Sequence, residues 1–418
     1  MRKAAFSLIA LLALSWPFVA PWVQAQTFTV LYSFTGGADG SSPQAGLVRD
    51  KRGNLYGTTA QGGSSANCFL GCGVVFKLDT WGNETVLHTF TNTPDGALPL
   101  AALVRDKTGN LYGTTASGGT SVYGTIFKLD TTGNESVRYS FAGAPDGAVP
   151  QAGLLRDKAD NLYGTTFSGG STDAGPQNAG TVFELDGSGD ETVLHSFTRS
   201  PDGAFPQAGL VRDRAGNLYG TTTFGGSFNR GSVFKLDTTG NETVLHSFTG
   251  VLDGAFPQAG LVMDKAGNFY GTTGGPGAGT VFKLDTSGNE TLLYIFADSP
   301  DGASPQAGLV IDKAGNIYGT TTTGGSSFLY GTVFKLDTSN NETVLHSFTN
   351  TPDGAGPLAG LIMDKAGNLY GTTKAGGSSS HGTVFKLTLK CRFARCPRFA
   401  PRSWALTWAT LYLNPARV

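Results

Sequence analysis

Residues 208–248 have the sequence AGLVRDRAGNLYGTTTFGGSFNRGSVFKLDTTGNETVLHSF, which contains four short runs rich in β-branched and aromatic residues. The runs cover 208–213, 217–222, 231–237 and 243–248, and each has the length and composition of a β-strand. We label these predicted strands A, B, C and D. An Asp-x-x-Gly-Asn segment separates A from B and C from D, which is typical of tight hairpin turns. The segment therefore predicts one four-stranded antiparallel unit.

The unit occurs seven times along the chain. An Asp-Gly-Ala or Asp-Gly-Ser turn precedes each copy, and the Asp residues of these turns follow one another at intervals of 56, 51, 56, 51, 48 and 52 residues. All of this variation lies in the loop between strands B and C, because the remainder of each unit is constant at 43 residues. A constant scaffold with one variable loop is typical of a repeat protein. The landmark Asp residues are Asp39, Asp95, Asp146, Asp202, Asp253, Asp301 and Asp353.

Units of this length with four antiparallel strands match the blades of a β-propeller. A run of D type at 29–34 precedes the first strand A, and the seventh copy ends after its strand C at 382–390. Pairing these two runs would complete the seventh blade and remove an exposed sheet edge. We therefore predict an all-β fold, a seven-bladed β-propeller of four-stranded antiparallel blades, closed by the N-terminal strand on the last blade. An open array of seven sheets is the alternative.

The recurring text AGLVxDKAGNLYGTT, GTVFKLD and ETVLHSF resembles the Gloeo/Verruco tandem repeat family, also called GloVer repeats. The resemblance covers residues 27–388, which is nearly all of the predicted mature chain. It implies an exported bacterial protein. It brings no catalytic residues and no cofactor with it.

The N-terminus has the pattern of a secretory signal. Arg2 and Lys3 precede an apolar run at 6–14, and Ala25 ends a short segment suited to signal peptidase, so we predict a signal peptide over 1–25. This run is broken by Pro17 and Pro21 and is too short to cross a bilayer. The apolar piece at 404–413 is also too short, so we expect no transmembrane helix in the mature chain. We expect the protein to be secreted or held at the cell surface, and the periplasm is the alternative location.

The two ends change the charge balance of the chain. Residues 391–418 carry five Arg and no acidic residue and match no repeat, so we predict a disordered basic tail after a propeller at 26–390. Without this tail and without Arg2 and Lys3, the chain has 23 Lys and Arg residues and 31 Asp and Glu residues. An acidic core argues against nucleic acid as a partner. We expect a monomer.

The variable B–C loops are the predicted ligand surface. Antiparallel order places them on the same side as the D–A connections, and exposed aromatic and polar side chains there suit a glycan or protein ligand. The sequence has no catalytic motif, no metal-ligand cluster and no phosphate loop, so we predict a non-catalytic binding or surface-scaffold protein without a cofactor or metal. A carbohydrate-active enzyme, a glycosidase or lyase, is the alternative. A glycosidase needs two carboxylates close together, and this surface has few acids outside the repeated turns, chiefly Asp173 and Asp298 from non-adjacent blades. The candidate binding residues are Tyr123, Asp173, Phe228, Arg230, Phe328, Tyr330, Lys374 and His381.

Two further groups break the symmetry of the repeat. Strand A carries an Arg in blades 1 to 4, and Met263, Ile311 and Met363 stand there in blades 5 to 7. These arginines either pair with adjacent Asp residues or form an arc that holds an anionic ligand on one side of the channel. Cys68 and Cys72 are candidates for a local disulfide in an exported chain. The arginines are Arg49, Arg105, Arg156 and Arg212.

Overall fold

The computed structural model describes residues 25–171, 178–275, 277–327 and 329–390. Nearly all of these residues belong to one compact unit, Phe28–Thr388. The predicted basic tail, and the predicted signal peptide apart from Ala25, lie outside the described residues. The described part of the chain is all-β, with 28 strands and no helix.

The strands group into seven blades, numbered along the chain. Blade 1 contains β2 (Val48–Arg49), β3 (Leu55–Thr59), β4 (Val74–Leu78) and β5 (Glu84–Thr89), and blade 2 contains β6 (Val104–Arg105), β7 (Leu111–Thr115), β8 (Thr125–Leu129) and β9 (Glu135–Ser140). Blade 3 contains β10 (Leu155–Arg156), β11 (Leu162–Thr166), β12 (Thr181–Leu185) and β13 (Glu191–Ser196), and blade 4 contains β14 (Val211–Arg212), β15 (Leu218–Thr222), β16 (Ser232–Leu236) and β17 (Glu242–Ser247). Blade 5 contains β18 (Val262–Met263), β19 (Phe269–Thr273), β20 (Thr280–Leu284) and β21 (Glu290–Ile295), and blade 6 contains β22 (Val310–Ile311), β23 (Ile317–Thr321), β24 (Thr332–Leu336) and β25 (Glu342–Ser347). Blade 7 contains β26 (Ile362–Met363), β27 (Leu369–Thr373), β28 (Thr383–Lys390) and β1 (Ala25–Ser33).

Each blade is an antiparallel sheet in the order A-B-C-D. In blade 7 the order is β26-β27-β28-β1, so the N-terminal strand supplies the outer strand of the last blade. The predicted seven-bladed propeller and its mode of closure are therefore confirmed. Strand A differs from its prediction, because only two residues of each copy, such as Val211–Arg212, belong to the sheet. The residues before them lie at the propeller axis instead.

Seven small residues form a ring around this axis, one from each blade. A Cβ placed on Gly209 would lie 3.0 Å from the carbonyl oxygen of Gly153, and one on Gly360 would lie 3.2 Å from that of Gly308. A Cβ on Gly46 would lie 3.5 Å from the carbonyl oxygen of Gly360, so the contact continues from the last blade to the first. Backbones that approach this closely leave little room for side chains. The axis ring is Gly46, Ala102, Gly153, Gly209, Gly260, Gly308 and Gly360.

Phenylalanine pairs hold neighbouring blades together farther from the axis. The Phe at the end of each strand D meets the Phe of strand C in the next blade edge to face, with ring centroids 5.0 to 5.3 Å apart. Both rings are buried in every pair. Edge-to-face pairs of buried rings add to the free energy of burial. The pairs are Phe34–Phe76, Phe90–Phe127, Phe141–Phe183, Phe197–Phe234, Phe248–Phe282, Phe296–Phe334 and Phe348–Phe385.

The closing strand makes a contact that the other blades lack. Its Phe28 occupies the position that Glu holds at the start of strand D in the other six blades. The ring of Phe28 stacks on His346 of blade 6 with centroids 3.7 Å apart, and it also meets Phe348 and Phe385. This aromatic cluster strengthens the one blade whose outer strand is not joined covalently to its strand C.

The axis ring predicts that two glycine substitutions differ in their effect. Gly209→Ala places a methyl group against a backbone oxygen at 3.0 Å, whereas Gly308→Ala places it at an ordinary 3.6 Å. Overpacking should lower the free energy of unfolding of Gly209→Ala by about 1–3 kcal/mol. Gly308→Ala should be neutral or gain up to about 1 kcal/mol, because alanine reduces the entropy of the unfolded chain. Denaturant titration measures both, and equal losses would contradict the axis ring.

The closing strand provides a second prediction. Phe28→Ala should lower the free energy of unfolding by about 2–3 kcal/mol, because it removes the half-buried ring from the aromatic cluster with His346, Phe348 and Phe385. Thr29→Ala, at an exposed position of the same strand, should change it by less than about 0.5 kcal/mol. Equal effects of the two substitutions in a denaturant titration would show that attachment of the closing strand does not depend on Phe28.

Candidate functional site

The B–C and D–A connections meet on one face, which we call the loop rim; the A–B and C–D turns form the turn rim. In blade 4, the Ala204 N–H donates to the Phe224 carbonyl at 2.8 Å, and the Phe224 N–H donates back at 3.0 Å. An equivalent bridge joins the two connections in each of the other six blades. The backbone is therefore the same in all seven blades where the two connections meet, and the rest of each B–C loop differs in length.

In each D–A connection the residue directly before the Pro has a left-handed backbone, and we call it the left-handed position. Phe205 has φ of 58°; its N–H donates to the Ala179 carbonyl of the preceding blade at 2.7 Å, and its carbonyl accepts from the Thr223 N–H of its own blade. The equivalent N–H groups of the other blades donate across the blade boundary at 2.7 to 3.0 Å. This is the variable residue of an Asp-Gly-Ala-x-Pro segment that is otherwise constant except for Ser41 in the first copy. The left-handed positions are Ser42, Leu98, Val149, Phe205, Phe256, Ser304 and Gly356.

Four of the predicted binding residues share one structural position. Tyr123, Arg230, Tyr330 and His381 are each the last residue of a B–C loop, and the carbonyl of each accepts the N–H of the left-handed residue in the next blade. Cys72, Ala179 and Ala278 hold this loop-end position in the other three blades. The scaffold thus carries five residue types at the seven blade boundaries on one repeated backbone contact, and Cys72 and Ala179 among them are buried.

The remaining predicted binding residues are spread more widely. Lys374 directly follows strand B of blade 7. Phe228 lies at the tip of the B–C loop of blade 4 and is 57% exposed. Asp173 and Phe328 lie outside the described residues. Asp298, the other acid considered for an enzyme, is exposed on the loop rim at a left-handed φ of 81°.

A row of four aromatic rings crosses the loop rim from blade 3 to blade 5. Phe167 stacks on Phe205 with centroids 4.9 Å apart, Phe205 meets Phe224 at 6.0 Å, and Phe224 meets Phe256 at 5.1 Å. We call these four residues the aromatic arc. The sequence analysis missed the arc, although variation at one position of the Asp-Gly-Ala-x-Pro segment marks both Phe205 and Phe256. On the opposite side of the rim the same position is occupied by Ser304, Gly356 and Ser42.

Exposed apolar side chains are concentrated on the loop rim. Among the described residues, ten of the thirteen large exposed hydrophobic side chains lie there, and Trp81, Val137 and Ile295 lie elsewhere. A soluble surface seldom gathers so many on one side unless it binds something. The ten are Phe69, Leu70, Leu98, Val122, Tyr123, Phe224, Phe228, Val251, Leu252 and Leu329.

An open cleft adjoins the aromatic arc. Its volume is about 530 Å³, and Tyr123, Gln151, Phe167 and Phe205 are among the residues that line it. Apolar rings with a few polar groups between them are typical of ligand sites. The structure therefore brings the predicted residue Tyr123 together with two residues of the arc.

The predicted arginine arc lies on the turn rim. Arg212 pairs with Asp157 of the neighbouring blade at 3.4 Å, and Arg156 pairs with Asp160. Arg49 and Arg105 instead lie over tyrosine rings of the preceding blades. Pairing with acids thus occurs at two of the four positions.

A second cleft opens on the turn rim. Its volume is about 960 Å³, and Arg156, Arg212 and Met263 are among the residues that line it. Met263 holds the strand A position of the arginines in blade 5, the first blade without an arginine there. Anion binding at this cleft stays a prediction.

Cys68 and Cys72 form a disulfide within the first B–C loop. The bond closes a short loop whose tip carries Phe69 and Leu70, which are 102% and 58% exposed. The loop holds these two apolar side chains out into solvent on the loop rim.

The repeat, the blades and the rim agree with one known family. A family model described as the Gloeobacter/Verrucomicrobia repeat matches residues 18–177, 71–278, 153–329 and 273–399. The chain belongs to the Gloeobacter/Verrucomicrobia repeat family. No curated protein matches it in sequence.

Several solved structures are similar to this Gloeobacter/Verrucomicrobia repeat protein at low identity. The extracellular domain of a putative one component system from B. thetaiotaomicron has a TM-score of 0.57 and 11% identity; the match covers 87% of this chain and 40% of that one. A gluconolactonase from Xanthomonas campestris has a TM-score of 0.44 and 15% identity, covering 87% and 89%. A luciferin-regenerating enzyme has a TM-score of 0.45 and 15% identity, covering 68% and 90%.

The described part of this repeat protein shows no group of three or more His, Cys, Asp and Glu side chains placed to hold a metal ion. Within the same residues there is no helix that could cross a membrane.

The outer strands of the repeat protein carry a buried polar network. His88 contacts the landmark Asp95 at 3.0 Å, and the Thr91 hydroxyl donates to Asp95 at 2.7 Å. Burial opposes ionisation of Asp95, but these hydrogen bonds outweigh it and lower its pKa. Tyr32, Tyr139 and Tyr294 replace the histidine in three blades and donate to their own landmark Asp. The His or Tyr therefore fixes the start of the D–A connection.

A glutamate at the start of strand D lies close to this network in the preceding blade. Burial raises the pKa of five of these glutamates to about 7, and the landmark Asp of the preceding blade adds to the shift. One carboxylate oxygen of each is buried without a hydrogen-bond partner in the described structure. The five are Glu84, Glu191, Glu242, Glu290 and Glu342.

These glutamates predict that stability falls as the pH rises from about 4.5 to 7. A carboxyl whose pKa is higher in the folded state stabilises the fold while it is protonated, and this contribution is lost as the pH passes through the folded pKa of about 7. His246, whose pKa is lowered by burial, acts in the opposite direction but is a single group. The Tm should therefore be higher near pH 5 than near pH 8.

Glu242→Gln tests the cause. This substitution should raise the Tm near pH 8 and leave it nearly unchanged near pH 5, because only the ionised carboxylate is penalised by burial. A Tm that increases steadily from pH 5 to pH 8 in the unmodified protein would contradict the assignment.

Proposed function

We propose that this chain is an exported, non-catalytic binding protein that holds a glycan or protein ligand on its loop rim. The observation that carries the proposal is the distribution of side chains on that rim. A repeated backbone contact carries residues of varying type at the loop-end and left-handed positions, and most of the large exposed apolar side chains of the described structure lie on the loop rim. Residues that differ between copies of a repeat and are exposed are the ones available for recognition.

Export is supported by three observations. The sequence begins with a predicted signal peptide, and the family resemblance implies an exported bacterial protein. The Cys68–Cys72 disulfide suits an oxidising compartment. We propose secretion or display at the cell surface, where a monomeric propeller would present the loop rim to its ligand.

The test is a survey of immobilised polysaccharides and extracellular proteins with the full exported chain. Tyr123→Ala and Phe224→Thr remove exposed rings from the loop rim, and alanine and threonine already stand at the equivalent positions of blades 3 and 6. Each should weaken binding of a captured ligand by roughly tenfold, the loss expected when a central aromatic contact is removed.

Trp81→Ala is the matched control. Trp81 is 89% exposed in a C–D turn of the turn rim, and its removal should leave the affinity unchanged. A ligand that depends on Trp81 but not on Tyr123 or Phe224 would place binding on the other face and reject the proposal.

A further inference from the structure

The three acids that line the cleft on the turn rim all have partners within the fold. Arg212 pairs with Asp157 at 3.4 Å, and Arg156 pairs with Asp160. Asp213 accepts two hydrogen bonds, at 2.7 and 2.9 Å, from the Asn that ends the A–B turn of blade 4. Burial opposes ionisation of Asp213, but the hydrogen bonds of its turn outweigh it and lower its pKa. These acids and the two paired arginines are therefore already engaged.

Three further cations line the same cleft without such a partner. Lys107, Lys158 and Arg214 come from the A–B turns of three successive blades, and all three are exposed. Within the part of the chain that the structure describes, none of the three lies within 4.0 Å of a carboxylate. The cleft thus carries positive charge that the fold does not neutralise.

This excess of positive charge belongs to one half of the turn rim. From the end of strand A to the end of the A–B turn, blades 1 to 4 contain nine Lys and Arg residues and five Asp residues. The same segments of blades 5 to 7 contain three Lys and three Asp residues. The segments are 49–54, 105–110, 156–161 and 212–217 in the first group and 263–268, 311–316 and 363–368 in the second.

The fold does not require the additional cations. Strand A forms in blades 5 to 7 with Met263, Ile311 and Met363 in place of the arginines. The chain without its two ends has more acidic than basic residues, so a basic half-rim runs against its overall composition. A local charge of the opposite sign to the rest of a protein attracts ligands of complementary charge to that place.

We propose that the turn rim of blades 2 to 4 is a second binding site, which takes a polymer of closely spaced phosphate or carboxylate groups. This site goes beyond the function proposed above, because it lies on the opposite rim. Flexible side chains of Lys and Arg at exposed positions respond to charge density more than to one ligand shape. Cations from three successive blades favour a polymer over a single small anion, because every contact after the first is intramolecular.

A polymer bound at this site would leave the loop rim uncovered. The A–B and B–C connections lie at opposite ends of strand B, so a ligand on the turn rim does not compete with one on the loop rim. An exported propeller attached in this way to an anionic polymer of the cell envelope would present its loop rim outward.

The experiment measures binding of the full exported chain to inorganic polyphosphate and to polygalacturonate at physiological ionic strength. At least one polymer should bind, and orthophosphate should compete roughly a hundredfold more weakly, because it cannot contact several blades at once. Binding of polyphosphate alone would assign phosphate as the recognised group, and binding of polygalacturonate alone would assign carboxylate. Binding of both would assign charge density.

The triple substitution Lys107→Gln, Lys158→Gln and Arg214→Gln should weaken binding of the polymer by about tenfold or more, because hydrogen bonds from charged groups are lost. Its Tm should stay nearly unchanged, because all three side chains are exposed. The affinity for a loop-rim ligand should also stay unchanged, so failure of this inference is distinguishable from failure of the proposed function.

Lys265→Gln, Lys313→Gln and Lys365→Gln together form the matched control. They remove the same net charge from exposed, equivalent turn positions of blades 5 to 7. This variant should bind the polymer nearly as well as the unmodified protein, because charges farther than about 8 Å from the ligand are screened at this ionic strength.

Equal losses in the two triple variants would overturn the inference, since they would show general attraction to a charged protein. Absence of binding to both polymers would overturn it as well. Binding of anionic vesicles in place of either polymer would identify a lipid surface as the ligand and likewise reject the polymer site.

Discussion

The contact on which the structure depends is the close approach of seven backbones at the propeller axis. A side chain larger than a methyl group does not fit at Gly209, where a Cβ would already be 3.0 Å from a carbonyl oxygen. The contact runs around the ring and returns from Gly360 to Gly46, so it sets how near each blade stands to the next. The phenylalanine pairs then fill the wedges that open between blades farther out.

Because the ring is nearly symmetric, folding and recognition are carried by different residues. The buried phenylalanines, the small residues of the axis ring and the turn Asp residues are repeated in every blade and provide the stability. The left-handed and loop-end positions share one backbone hydrogen bond in all seven blades, and their side chains vary from blade to blade while that bond does not. This division explains how a highly repetitive sequence presents an asymmetric surface, aromatic and basic on one side and small and polar on the other.

The fold could be predicted from the sequence because the repeat is regular. Constant spacing and the displaced N-terminal strand determine the number of blades and the closure. Strand A was predicted too long, because the apolar pattern of 208–213 does not reveal that Gly209 lies at the axis. The loop-end residues were found through their variation. Phe205 was missed although its position in the repeat is variable, because its contact with the Phe167 ring of the neighbouring blade is visible only in the fold.

Closure of the ring is the central claim, and amide hydrogen exchange tests it most directly. The Ser42 N–H donates to the His381 carbonyl across the seam between the last and first blades, and the Phe205 N–H makes the same bond between blades 3 and 4. If the ring is closed and opens cooperatively, the two amides should exchange with similar protection. Rapid exchange at Ser42 beside slow exchange at Phe205 would show that the seam is open and would contradict the account.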